Sequence, residues 1–163
     1  MSGKTPLIVR PTTEDDRVWM RAEMKRWWGN EMVVLRKKKF YPAEMDGFIA
    51  ESEGRKTGLI ILSFERGICE IMSLTTSRKN PATGVRLLRA AVDQARKNKA
   101  RTIRVVTTND NIDALRFYQK AGFSLRELRR NAVEKSRELK PSIPETGNYG
   151  IPIRDEIELG FDL

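Results

Sequence analysis

Chemistry-bearing residues cluster in three segments of this sequence. The first is Ser77-Arg78-Lys79-Asn80-Pro81-Ala82-Thr83-Gly84-Val85, small residues between an apolar strand and an amphipathic helix. Such a junction opens a helix N-terminus, whose first N–H groups lack intrahelical partners. With the helix dipole and the flanking Arg78 and Lys79 they make a place for phosphate. Any strand–helix turn uses small polar residues, so a plain connection fits the same run. The second segment runs from Thr107 through Asn109-Asp110-Asn111 to Tyr118 and Gly122. A strand ends in Asn/Asp and a helix begins, with Asp110 or Asn111 as its N-cap. The third is Ile68-Cys69-Glu70-Ile71-Met72, where a carboxylate interrupts an apolar strand. Burial raises a carboxyl pKa towards neutrality and suits it to accept a proton. A glutamate at a polar rim, or paired with an arginine, is the plain alternative. Cys69 faces the other side of the strand and reads as a buried structural thiol.

The chain has 163 residues, no histidine and one cysteine. Those counts exclude a His-based triad, an imidazole acid/base and a Cys/His zinc site, so no metal is expected. One thiol forms no disulfide within the chain, and a reducing, cytoplasmic setting is the expectation. The length suits one domain spanning 1–163. The net charge of +9 favours anionic partners without choosing among them. The run Arg36-Lys37-Lys38-Lys39 reads as a solvated charged face. No segment approaches the roughly 20 apolar residues of a membrane span, so no membrane partner is expected.

Positioning these residues requires a mixed α/β architecture. Leu7 to Arg10 reads as a strand stopped by Pro11. A helix follows, with Glu14, Asp15 and Asp16 in its first turn, and Gly29-Asn30 ends it. Residues 31–46 carry no clear pattern. Strands over 47–51, 57–64 and 68–75 form an antiparallel meander, with turns at 53–56 and 66–67. Ile68, Met72 and Leu74 are expected on one face of the third strand, and Cys69 and Ile71 on the other. Val85, Leu88, Ala91, Val92 and Ala95 recur at helical spacing. A strand over 102–107, a helix ending at Gly122, a strand over 123–128, a helix over 132–139, a loop over 141–152 and a strand over 153–163 complete the chain. The strand–helix–strand unit over 68–107 implies two neighbouring parallel strands.

In this order the segments resemble the GCN5-related N-acetyltransferase (GNAT) superfamily, over nearly the whole chain. Asn111-Ile112-Asp113-Ala114-Leu115-Arg116-Phe117-Tyr118-Gln119-Lys120-Ala121-Gly122-Phe123 matches that family's Asn-x-x-Ala-x-x-x-Tyr-x-x-x-Gly-Phe pattern at every fixed position. The tail Gly150-Ile151-Pro152-Ile153-Arg154-Asp155-Glu156-Ile157-Glu158-Leu159 is similar to the ending of an uncharacterised bacterial branch. The implied fold is a mostly antiparallel sheet of about seven strands, with a parallel pair at the cofactor cleft and helices on both faces. One stretch departs from the family: where its phosphate loop reads Gln/Arg-x-x-Gly-x-Gly/Ala, this chain has Lys79-Asn80-Pro81-Ala82-Thr83-Gly84. Pro81 removes a backbone donor, and Ala82 adds a methyl group that is tolerated at negative φ.

The resemblance implies an N-acetyltransferase that moves an acetyl group from acetyl-CoA to a primary amine by direct attack in a ternary complex. Acetyl-CoA would meet Leu74, Thr75, Thr76, Lys79, Asn80, Ala82, Thr83, Gly84, Val85, Asn111, Ala114 and Phe117. Glu70 would be the base and Tyr118 the acid for the leaving thiolate. Trp27, Trp28 and Tyr149 would frame the acceptor, a small-molecule or peptide amine. An enzyme acting on aminoacyl-tRNA is a second reading, resting on the positive charge, with nucleic acid not favoured. A non-catalytic acyl-CoA-binding domain, resting on the altered loop, is a third. A homodimer is compatible with all of them.

Overall fold

In a computed structural model, residues 6–77 and 80–163 are described. Among the described residues, nine strands and four α-helices follow one another: β1 (Ile8–Pro11), α1 (Arg17–Trp28), β2 (Val33–Leu35), β3 (Lys38–Phe40), β4 (Gly47–Ser52), β5 (Arg55–Glu65), β6 (Ile68–Thr76), α2 (Ala82–Lys97), β7 (Thr102–Thr108), α3 (Ile112–Lys120), β8 (Ser124–Arg129), α4 (Ala132–Leu139) and β9 (Glu156–Asp162). Seven strands form one sheet in the order β1-β4-β5-β6-β7-β9-β8, and β2-β3 is a separate hairpin. Only β6 and β7 run parallel in that sheet; its other neighbours are antiparallel. The mixed architecture and the parallel pair are those expected.

The apolar strand β5 explains the layering. Its side chains alternate, so Ile60 and Leu62 enter one core with Leu87, Leu88, Ala91 and Ala95 of α2. Leu59 and Ile61 enter a second core with Met20 and Met24 of α1. Helices therefore cover both faces. Gly47 lies where β4 crosses β5 so closely that a Cβ would sit 1.8 Å from the Ile60 carbonyl oxygen.

Three details of the sequence reading change. A bulge in β6, where Ile61 pairs with Ser73 and Leu62 with Ile71, leaves Met72 as an extra residue. A bulge resets the alternation, so Leu74 packs with Cys69 and Ile71 while Met72 alone joins the α1 core. The turn after β4 is only Glu53-Gly54, both at positive φ, so Arg55 and Lys56 already pair with Ser52 and Glu51. The patternless stretch holds the β2-β3 hairpin, whose two turn residues, Arg36 and Lys37, both have positive φ. That turn normally favours Asn or Gly, which is why the sequence hides it. Among the described residues, no helix is long and apolar enough to cross a membrane.

Candidate active site

β6 and β7 begin as a hydrogen-bonded pair and then part. Their pairing runs from Ile68↔Thr102 to Ile71↔Val105, yet β6 continues to Thr76 and β7 to Thr108. Leu74, Thr75 and Thr76 pair with β5 on one edge. Among the described residues no strand pairs with their other edge. That edge borders a crevice of about 280 Å³, lined by Leu74, Thr75, Thr76, Gly84, Asn111, Asp113, Ala114, Phe117 and Tyr118, with Trp27 and Trp28 at its rim. An unpaired strand edge offers N–H and C=O groups to an extended ligand.

The phosphate-side residues meet at the start of α2. Ala82 is the first helical residue, so its backbone is right-handed and its methyl group is no obstacle. Asn80 closes the turn: its Oδ1 accepts from Ala82 N–H at 3.0 Å and its carbonyl from Thr83 N–H at 3.2 Å. The expectation that these two donors stand free is thereby corrected. Asn80 supplies the cap that Pro81, lacking an N–H, leaves to its neighbours. Gly84 faces the crevice, and a Cβ there would come within 3.3 Å of the Phe117 ring. Val85 is half-exposed. Thr75 and Thr83 each bury a hydroxyl oxygen with no partner. Lys79, with Arg78, lies outside the described residues.

Tyr118 is buried between two rings, 5.1 Å from Phe117 and 5.3 Å from Phe123, and lines the crevice. Burial pushes its phenol pKa up, so it keeps its proton at neutral pH. Asn111 proves to be the N-cap of α3: its Oδ1 accepts from Ala114 N–H at 3.3 Å and its Nδ2 donates to Thr107 Oγ1 at 3.1 Å. Its side chain is therefore tied up in capping while it lines the crevice wall.

Glu70 is elsewhere. It lines neither the crevice nor the larger cavity beside it. Its oxygens accept from Arg36 Nη1 and Nη2 at 2.8 and 2.6 Å and from Arg104 Nε at 2.5 Å. Of the readings open for this residue, pairing with arginine is the one found. Arg36, from the basic run read as a solvated face, turns back into the molecule to make it. Cys69 is fully buried, and its thiol is pushed up to about 12 by burial and then by the charge of Glu70, which leaves almost no thiolate at neutral pH.

A cavity of about 640 Å³ adjoins the crevice, sharing Trp27, Trp28 and Asn111 with it. Trp28 is fixed by its indole N–H, which donates to Ser73 Oγ at 3.0 Å. The walls include Val33, Leu35, Val106, Val133 and Ile153, with Asp110, Ser136, Lys140, Asn148 and Glu156 among them. One side is the loop between α4 and β9. Asp110 pins it, since its Oδ2 accepts from Asn148 N–H at 2.9 Å and from the Asn148 amide at 3.1 Å. Arg137 holds the same loop through the carbonyls of Pro144 and Ile153, both at 2.8 Å. Ile153 is held by Glu145 and Arg137, and Arg154 and Asp155 by Asn109, so the last strand starts at Glu156 rather than at 153. Tyr149, expected at the acceptor, stands mostly exposed at positive φ, its hydroxyl donating to Asp113 Oδ1 at 2.6 Å. It lines neither space. Lys140 and Glu156 were not singled out from the sequence. Neither carries a signal in the sequence that sets it apart, since Lys140 simply follows Leu139 and Glu156 is one of several charges in the tail.

Comparison with known proteins agrees with this geometry. Residues 11–123, from the end of β1 to the end of the α3 motif, match the acetyltransferase (GNAT) family. YxbD, an uncharacterized protein of Bacillus subtilis (strain 168), is 38% identical over 156 residues, covering 95% of this chain and 98% of its own. The IAA acetyltransferase from Bacillus cereus ATCC 14579 has a similar structure, with a TM-score of 0.71 at 20% identity over 97% of this chain and 100% of that one. A GNAT family acetyltransferase from Elizabethkingia anophelis, solved with acetyl-CoA bound, gives 0.67 at 19% identity over 96% of this chain and 98% of that one. The family match spans both arms of the parted strands and the helix that carries Tyr118, so this chain belongs to the acetyltransferase (GNAT) family.

Proposed function

We propose that the protein transfers an acetyl group from acetyl-CoA to a primary amine held in the larger cavity. The observation that carries this reading is the parting of β6 and β7 beyond Ile71 and Val105. It joins a crevice with a free strand edge to a cavity large enough for a small molecule. The crevice fits the co-substrate on three counts. Leu74–Thr76 present unpaired backbone along its edge, Gly84 leaves its floor without a side chain, and Thr75 has a buried hydroxyl awaiting a partner. Leu74, Thr75, Thr76, Ala114 and Phe117 would hold the pantetheine arm, and the start of α2 the phosphates, with Asn80, Ala82, Thr83, Gly84 and Val85 around them. Acetyl-CoA would supply an acetyl thioester, an already activated carbonyl.

The chain's own residues then have three tasks. Tyr118, protonated at neutral pH, presents an O–H donor for the sulfur as it leaves. Trp27 and Trp28, at the junction of the two spaces, orient the acceptor towards the crevice. The acceptor ammonium must lose a proton, and this task falls to the larger cavity, not to Glu70 with its two arginines. Of the cavity carboxylates, Asp110 is occupied by the loop. Glu156 is buried there with one oxygen on Arg129 Nε at 3.0 Å, and we assign it the proton, directly or through water. Cys69, buried and held as a thiol, takes no part, which favours direct transfer over an acetyl-enzyme.

Titration calorimetry with acetyl-CoA, followed by a panel of amines with free thiol as the readout, tests the proposal. Heat on binding and thiol release that depends on the amine are expected. Absence of heat with acetyl-CoA, or thiol release that no amine accelerates, would overturn it.

A further inference from the structure

Resting on the acceptor cavity proposed above, we infer that Lys140 is a carboxylate anchor and that the acceptor is a small amine carrying a carboxylate on an apolar body. Lys140 caps the end of α4, yet its side chain is turned inwards, and the residue is only 8% exposed. Among the described residues, the one polar contact of its ammonium group is the Trp28 carbonyl at 3.5 Å, the outer limit of a hydrogen bond. An ammonium group has three protons to donate. No carboxylate among the described residues lies within ion-pair distance of it, whereas Arg10, Arg17, Arg36, Arg104, Arg129 and Arg137 are all paired. Burying a cation without a counter-ion is costly, and burial alone lowers the pKa of this amine. An arriving anion would relieve both.

The surroundings define the rest of the ligand. Val33, Leu35, Val133, Ile143 and Ile153 wall the cavity, and Trp28 stands at its junction with the crevice. That lining suits an aliphatic or aromatic body. Glu156, on the same cavity, makes no ion pair with Lys140. Glu156 Oε1 is taken by Arg129 Nε at 3.0 Å, so its Oε2 and the Lys140 ammonium, held apart in this space, are the groups complementary to a molecule with an amine at one point and an anion at another. Among the described residues Lys140 is the one cationic side chain lining the space; a single ammonium balances the one charge of a carboxylate and leaves a doubly charged phosphate partly uncompensated, so a carboxylate is the anion assigned.

The test uses the whole protein and two probes of nearly the same shape, the anionic 3-phenylpropanoate and the neutral 3-phenylpropanamide, by calorimetry. The wild type is expected to bind the carboxylate at least about tenfold more tightly than the amide. Lys140→Gln should remove that preference and Lys140→Arg should retain much of it. With phenylalanine and phenethylamine as acceptors, the ratio of their kcat/KM values should fall in step in Lys140→Gln. Equal binding of the two probes by the wild type, or of neither, overturns the inference. So does a preference that survives in Lys140→Gln. The wild-type comparison needs no variant to fold. Because these probes are read without acetyl-CoA, failure here is distinct from failure of the protein to bind acetyl-CoA or turn it over.

Discussion

Arg36 and Glu70, 34 residues apart in the chain, meet in a two-pronged ion pair, Nη1 to Oε2 at 2.8 Å and Nη2 to Oε1 at 2.6 Å. Arg104, aligned with Glu70 across the parallel pair, completes a triad on the same carboxylate. The β2-β3 hairpin is thus clamped to the sheet two residues before β6 and β7 part. Truncating one member of a buried ionic group leaves the others uncompensated. Glu70→Ala should therefore lower stability by about 3 kcal/mol, measured by urea denaturation. In Glu70→Gln the pH dependence of turnover should keep its shape. A lost acidic limb in that profile would return Glu70 to the chemistry.

Glu156→Gln should do the opposite. Removing the proton acceptor should lower kcat by roughly 10²-fold or more, with the deficit shrinking as pH rises and free amine becomes abundant. A pH–rate series on both glutamine variants decides between the two carboxylates.

Tyr118→Phe keeps the ring contacts with Phe117 and Phe123 and deletes one hydroxyl. Turnover should fall about 10²-fold while the acetyl-CoA Kd stays within a few-fold. Unchanged turnover would make Tyr118 a packing residue only.

Gly147→Ala tests the loop. A Cβ there would lie 2.1 Å from Asp110 Oδ2, so the Asp110–Asn148 anchor must open and the cavity wall shift. The acceptor KM should rise on the order of tenfold or more while acetyl-CoA affinity holds. Steady-state kinetics with each substrate varied in turn provides the check.

Two buried acids give an alkaline limit. The Cys69 thiol is raised from 9.0 to about 12 and the Tyr118 phenol is raised as well, both chiefly by burial. A raised native pKa means that the unfolded chain ionises first. Stability from these groups is full below the unfolded values and is lost as pH climbs towards the native ones. Denaturation midpoints should fall as pH rises above about 9, and Cys69→Ala should flatten the first part of that fall. A profile identical in the variant would remove Cys69 as a cause.

Local pattern by itself determined a good deal of this protein. The Asn111–Phe123 motif, the change from strand to helical period after Thr76, and the apolar run through Leu62 specify the sheet, the crossover and the crevice residues. Each depends only on near neighbours: a cap, a periodicity, a glycine after a helix. What the tertiary structure decided depends on pairs far apart in the chain. A bulge at Met72 moved Leu74 to the other face, because register is a property of two strands together. Glu70 is paired with an arginine that a hairpin without a turn signature carried to it from 34 positions away. Lys140 and Glu156 entered the site because α4 and β9 pack around the same cavity, and sequence spacing carries no trace of which charges share a space or lack a partner there.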